Sequence, residues 1–238
     1  TAAAAEVEPP VRYVFADTHQ GRRGDLKVFS RPMSVSPSSD GGYYLTSFAG
    51  NEVIEFGANG DVRQRILGGI EGLDHPADVV RVDGTYLFIT EFLGNRIVRT
   101  GVDGGRLVRF GEKGTGPGQL IGPQYIADDA AGYVYVTETG NRRVSKFDYE
   151  GQFILSFGEL ISPTGIVCHG GMVYVADGRA GVIAEFDPSG NFVRLLGEGD
   201  LEQPEGLSVY EDGTLMVADT RRIVLLDVET ETVRLLSD

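Results

Sequence analysis

A proline returns five times along this 238-residue chain, each time opening an apolar stretch: Arg31-Pro32-Met33, His75-Pro76-Ala77, Gly122-Pro123-Gln124, Ser162-Pro163-Thr164 and Gln203-Pro204-Glu205. The intervals are 44, 47, 40 and 41 residues. Self-similarity at that period means one supersecondary unit repeated, each copy burying its apolar face against the next. An array of this kind favours one large domain over two small ones at this length. With 34 Gly and 10 Pro beside 41% apolar residues, the composition provides many tight turns and still enough material for a core.

Four short apolar stretches separated by turn residues follow each proline, the pattern of a four-stranded antiparallel sheet. The clearest copy predicts strands near 125–128, 133–138, 143–148 and 152–157. Aligned with it, second strands fall at 43–47, 86–91, 172–177 and 214–219, and third strands near 53–56, 97–100, 182–186 and 223–226. Ala58-Asn-Gly60, Val102-Asp-Gly104, Tyr149-Glu-Gly151 and Pro188-Ser-Gly190 are hairpin turns in which Gly takes positive φ without steric cost, and Val228-Glu-Thr-Glu231 departs from the rule. Inner strands such as Gly165-Ile-Val-Cys168 are expected to be buried on both faces. The alternation of Val144 and Lys146 with Ser145 and Phe147 marks the third strand as more exposed. The fold class expected is all-β, a β-propeller of four-stranded antiparallel blades with five complete blades.

Residues 1–10 read as a linker and 11–238 as the propeller domain. Val11-Arg-Tyr-Val-Phe15 stands where an outer strand would precede the first proline, without three partners of its own. The ring is then five-bladed with a supplementary strand, or six-bladed with its last blade beyond Asp238; the second is the expectation here.

The formal charge is −14, from 35 acidic and 21 basic residues. Such a surface repels phosphate backbones and argues against nucleic acid as a partner. Arg22, Arg23, Lys27 and Arg31 form the one basic cluster, in a loop fit for an acidic segment or a neighbouring domain. The single Cys168 excludes an internal disulfide framework and a Cys-based zinc site and reads as a small buried hydrophobe. No apolar run approaches the roughly 20 residues of a membrane span.

Tyr133-Val-Tyr-Val-Thr-Glu-Thr-Gly-Asn-Arg-Arg-Val-Ser-Lys-Phe-Asp-Tyr-Glu-Gly-Gln-Phe-Ile-Leu-Ser-Phe-Gly158, preceded by Pro123, resembles an NHL repeat: a proline, an inner strand, a strand ending in an acid, Asn-His-Arg, a Phe-Asp hairpin and a Phe-Gly ending. The copy from Pro163 to Gly197, with Val175-Ala-Asp177 and Glu185-Phe-Asp187, is similar. The repeat's His is absent, replaced by Arg142 in the best copy. The resemblance implies a β-propeller and leaves the function open among sensor domains, RNA-binding domains and a metal-dependent amidating lyase. It also suggests an extracytoplasmic setting by likeness to exported bacterial repeat proteins, with the cytoplasm as the alternative.

For the lyase, His19, His75 and His169 fall at unrelated positions of the repeat and do not converge as a zinc site requires. A calcium or magnesium ion would take oxygen ligands, and Asp78 and Asp128 are the candidates, with turn-capping as their structural role. No cofactor is otherwise implied. Four second strands end in an acid with an arginine close behind: Glu91 and Arg96, Glu138 and Arg143, Asp177 and Arg179, Asp219 and Arg222. These are read as structural ion pairs, because half-buried charges need partners. Gly-x-Ser-x-Gly is absent, and the glycine-rich 111–118 lacks the Gly-Lys-Ser/Thr ending of a phosphate loop.

The reading leans away from an enzyme, toward a non-catalytic interaction or sensor module binding a protein, peptide or glycan on the propeller face. Its binding residues would be Arg31, His75, Gln124, Tyr125, Arg142, Arg179, Glu205 and Arg221, with Tyr125 and Arg142 as anchors. The alternatives are a metal-dependent lyase or lactonase-like hydrolase acting in the central channel, and a structural domain docking within a larger protein.

Overall fold

The structure is a computed structural model that describes residues 22–23, 26–210 and 213–237. The five repeats form five four-stranded antiparallel sheets, each with its strands in chain order. Blade 1 is Pro32–Pro37, Tyr43–Ser47, Glu52–Phe56 and Val62–Ile66; blade 2 is Pro76–Val82, Tyr86–Glu91, Arg96–Gly101 and Val108–Phe110. Blade 3 is Pro123–Asp128, Tyr133–Glu138, Arg143–Asp148 and Phe153–Phe157; blade 4 is Pro163–His169, Met172–Asp177, Val182–Phe186 and Phe192–Leu196. Blade 5 is Pro204–Val209, Leu215–Asp219, Arg222–Leu226 and Val233–Ser237. The supplementary strand expected at 11–15 and the linker at 1–10 lie outside the described residues. In the basic segment, Arg22–Arg23 pairs with Leu26–Lys27.

The repeated proline has one structural job in all five blades. It opens the inner strand, faces the last residue of the second strand, and is followed at once by a register shift, as between Pro76 and Val79 or Pro163 and Ile166. Lacking an N–H, proline suits a first strand position, and the bulge after it bends the inner strand inward. At the far end the hairpin glycines take the expected left-handed backbone, φ 77° at Gly60 and 86° at Gly151, and Glu231 adopts φ 58° in the divergent turn of blade 5.

The core is a series of layers between blades. Tyr44, Val53 and Ile66 of blade 1 meet Val79, Leu87, Ile89 and Val98 of blade 2. Tyr174, Ile183 and Leu196 of blade 4 meet Leu215, Val217 and Val224 of blade 5 in the same way. Each such side chain contributes about 1.5–3 kcal/mol when fully buried. On its other face blade 1 packs Leu45, Ile54 and Phe56 against Val28 and Phe29.

Inner strands of successive blades lie side by side, and all five line a central channel of about 750 Å³. The inner strands are therefore not buried on both faces, as the sequence suggested, because one side meets the channel. Burial is greatest in the second strands, sandwiched between neighbouring sheets: residues 134–138 are fully buried. The third strand of blade 3 is also buried rather than exposed, with Phe147 packed toward blade 2 and Val144 toward blade 4.

Polar links cross the same interfaces. The hydroxyls of Thr46 and Thr90 donate to the carbonyls of Ala77 and Gln124 in the next blade, at 3.0 and 2.8 Å. Farther out, a cation on the third or fourth strand reaches the hairpin of the following blade. Arg99 donates to the Tyr149 carbonyl at 2.5 Å, Lys146 to Pro188 at 2.9 Å and Arg194 to Val228 at 2.7 Å. The glycine-rich 111–118 is a connection between blades 2 and 3, held by Arg143 bonding to the carbonyls of Thr115 and Gln119.

Candidate functional site on the loop face and in the channel

At one end of the ring the loop entering each inner strand meets the loop between second and third strands. In every blade the residue after the second strand donates its N–H to the carbonyl before the proline. The pairs are Phe48 to Arg31, Phe92 to His75, Thr139 to Gly122, Gly178 to Ser162 and Thr220 to Gln203, at 3.0 to 3.3 Å.

The acids that end the second strands lie beneath this seam and are buried. Glu91 accepts the Asp74 amide at 2.9 Å and pairs with Arg96. Glu138 accepts the Ile121 amide at 3.1 Å, pairs with Arg143 at 2.8 Å and takes the Ser145 hydroxyl at 2.5 Å. Asp219 accepts the Gln203 amide at 2.7 Å and pairs with Arg222 at 2.9 Å. Each carboxylate clamps an incoming loop, so these acids form no charged ring open to solvent. In blade 4 the expected pair of Asp177 with Arg179 does not form. Asp177 instead accepts the amides of Ile161 at 2.6 Å, Ser162 at 2.9 Å and Ala180 at 3.3 Å.

Arg142, Arg179 and Arg221 consequently stand exposed on the loops of three successive blades, and none makes an ion pair with another described residue. Arg142 takes φ 56°, in the place that Asn51, Asn95 and Gly181 fill with the same left-handed backbone. For a long side chain that conformation costs roughly 1–2 kcal/mol.

Across the face, Arg31 and His75 meet over one ring. The Arg31 guanidinium lies 4.8 Å from the Phe48 centroid, and the His75 ring packs edge-on to Phe48 at the same separation. His75 Nδ1 contacts Asp74 Oδ1 at 2.8 Å, and Phe92 extends the cluster 6.1 Å beyond Phe48. Sequence reasoning missed both phenylalanines. The signal was a Phe directly after Ser47 and Glu91 in the first two repeats, where the later repeats carry Thr, Gly and Thr.

The remaining candidates belong to the channel. Asp78, Tyr125, Asp128 and Glu205 line it, and Gln124, which precedes Tyr125 on the same inner strand, has its carbonyl taken by Thr90. Asp78 is held by three blades: it accepts the Ser34 hydroxyl of blade 1, the Val79 amide of its own strand at 2.8 Å and the Ile126 amide of blade 3 at 3.0 Å. Burial pushes its carboxyl up to about 6, against those hydrogen bonds. Burial, with the charges of Asp78 and Glu205, raises the Tyr125 phenol to about 12. Asp128 accepts the Tyr149 hydroxyl at 2.5 Å. Among the described residues no three His, Cys, Asp or Glu side chains converge to hold a metal ion, and no helix is long and apolar enough to cross a membrane.

Five four-stranded blades around an open channel, with the loops that enter the inner strands gathered at one end, define a β-propeller. No family model matches the chain. It is 30% identical over 131 residues to protein brain tumor of Drosophila melanogaster, covering 50% of this chain and 13% of that one. It is 27% identical over 157 residues to NHL repeat-containing protein 3 of Homo sapiens, covering 60% of this chain and 44% of that one. The chain thus spans less than half the length of either relative. Among solved structures it superposes with a TM-score of 0.74 on one chain of a nidogen/laminin complex, at 18% identity over 89% of this chain and 82% of that one. It superposes at 0.71 on virginiamycin B lyase from Staphylococcus aureus, at 18% identity over 88% and 70%. Those two likenesses show the fold. Together with the repeat pattern, the relatives show that the chain is similar to NHL-repeat β-propeller proteins.

Proposed function

We propose that this propeller is a non-catalytic interaction module whose loop face binds a protein, peptide or glycan. The observation that carries the reading is the arc of Arg142, Arg179 and Arg221. Three successive blades present an exposed arginine that makes no ion pair with another described residue, from equivalent loops, while the neighbouring Arg143 and Arg222 are engaged by buried carboxylates. Arginine forms forked hydrogen bonds to carboxylates and is frequent among residues that dominate binding energy. On a chain of net charge −14, such an arc is a local site for acidic groups and not part of a general cationic field.

NHL-repeat relatives support a partner-binding role, and an extracytoplasmic setting belongs to the same proposal. The test is a screen of the purified chain against displayed peptides and arrayed glycans, repeated with Arg142, Arg179 and Arg221 all changed to Ala. Binders lost in the variant at unchanged melting temperature support the reading. Binders retained at full affinity would place the site elsewhere.

A further inference from the structure

A second cavity, of about 370 Å³, opens between blades 3 and 4 at the end of the ring opposite the arginine arc. Its walls include Tyr133, Tyr135, Met172 and Val173, and one cation, Lys146, lies at its edge. Lys146 is only 7% exposed. Its ammonium sits 4.1 Å from the Tyr133 ring centroid and 4.9 Å from that of Tyr135, and donates one hydrogen bond, to the Pro188 carbonyl.

The equivalent interfaces show what is missing. Arg99 and Arg194 make the same carbonyl bond to the next hairpin, and each also has a carboxylate from that hairpin, Glu150 at 2.9 Å and Glu231 at 2.7 Å. In blade 4 the hairpin is Pro188-Ser189-Gly190, so Ser189 stands where blade 3 has Glu150. Lys146 makes no ion pair among the described residues; the nearest acid on the cavity wall, Asp129, is engaged by the Ala131 and Tyr133 amides and the Tyr135 hydroxyl. A buried cation is ordinarily paired, and an ammonium has three donors, of which one is used here. Burial lowers the affinity of this amine for its proton, against the opposing charges of Asp129 and Asp187.

We propose that this cavity binds a small monocarboxylate with an aromatic or apolar body, its carboxylate supplying the anion that Lys146 lacks. The volume falls within the range of small-ligand pockets, with two tyrosine rings as walls and the Lys146 ammonium as the cation that fixes orientation, the Asp129 carboxylate on the wall being held by its own hydrogen bonds. The inference is independent of the loop face.

Benzoate and its neutral counterpart benzamide are the probes, titrated calorimetrically into the full chain and three variants. Benzoate is expected to bind at least about tenfold more tightly than benzamide, an advantage of roughly 1.4 kcal/mol. Lys146→Met should remove that preference. Ser189→Glu, which places a carboxylate where blade 3 has one, should exclude benzoate while raising the melting temperature, and it keeps the test decisive if Lys146→Met does not fold. The triple arginine variant should bind benzoate as the parent does. Equal affinity for the two probes, no binding of either, a preference that survives Ser189→Glu, or one lost only with the arginines would each overturn the proposal.

Discussion

The amide of Ile126 in blade 3 donates to the carboxylate of Asp78 in blade 2 at 3.0 Å, and the same carboxylate takes the Ser34 hydroxyl of blade 1. One buried acid thus joins three blades at the wall of the channel. Its carboxyl lies near 6, above the ordinary 3.8, because burial disfavours the charged form. A group whose folded value is raised adds stability that is fully present below its unfolded value and is lost as pH rises through the folded one. Asp78→Asn removes that titration and leaves one buried N–H without an acceptor, costing about 1–3 kcal/mol. The stability gap between parent and variant should be wider at about pH 4 than at about pH 7. Denaturant titrations at both values check it, and a constant gap would mean that Asp78 does not titrate as described.

Thr90 is fully buried and does double duty, donating to the Gln124 carbonyl of blade 3 and accepting the Asp78 amide at 3.0 Å. Thr90→Val keeps the shape and strands both partners. A loss of about 1–3 kcal/mol is expected, lowering the melting temperature by about 2–4 °C for each kcal/mol. Thr90→Ser should recover most of it, as read by calorimetry.

Gly165 is where blades 4 and 5 approach backbone to backbone. A Cβ there would collide with the Glu205 carbonyl oxygen and stand 2.8 Å from the Leu207 nitrogen. Neither neighbour can yield without shifting the inner strand of blade 5, so Gly165→Ala should cost about 1–3 kcal/mol. Hydrogen exchange should speed up first in Pro204–Val209. Protection lost evenly over all blades would contradict a local clash.

Glu138 is fully buried and neutralised by Arg143. Removing one partner of a buried pair typically costs 3–5 kcal/mol, because the other charge is left uncompensated. Glu138→Ala should show that loss in chemical denaturation. The double change with Arg143→Ala should cost less than the sum of the two single changes.

The repeat, the order of strands and the hairpin turns were legible because each depends on local chemistry: proline at a first strand position, glycine at positive φ, apolar runs of strand length. The pairing of Glu91, Glu138 and Asp219 with nearby arginines could also be anticipated, since the partners are close in sequence. Asp177 with Arg179 could not be judged that way. Its carboxylate takes the Ile161 and Ser162 amides of the preceding loop and the Ala180 amide of the following turn, and nothing in the local sequence says which donor it takes. The alternation in the third strand of blade 3 was misread for a similar reason. Lys146 is polar because it reaches Pro188 in the next blade, not because the strand faces water.

The sequence by itself determined that this chain builds repeated four-stranded sheets, since period, turn residues and apolar runs act within about 40 residues of one another. Tertiary structure alone decided which strands are driest and which charges stay free. Both depend on the neighbouring blade: closing the inner strands around a channel puts water beside residues that look like core, and sheet-on-sheet stacking buries the second strands instead. The same stacking leaves Lys146 facing a cavity without the carboxylate that its counterparts in blades 2 and 4 possess, whereas Arg143 and Arg222 are held by acids of their own blades and Arg142, Arg179 and Arg221 make no ion pair among the described residues.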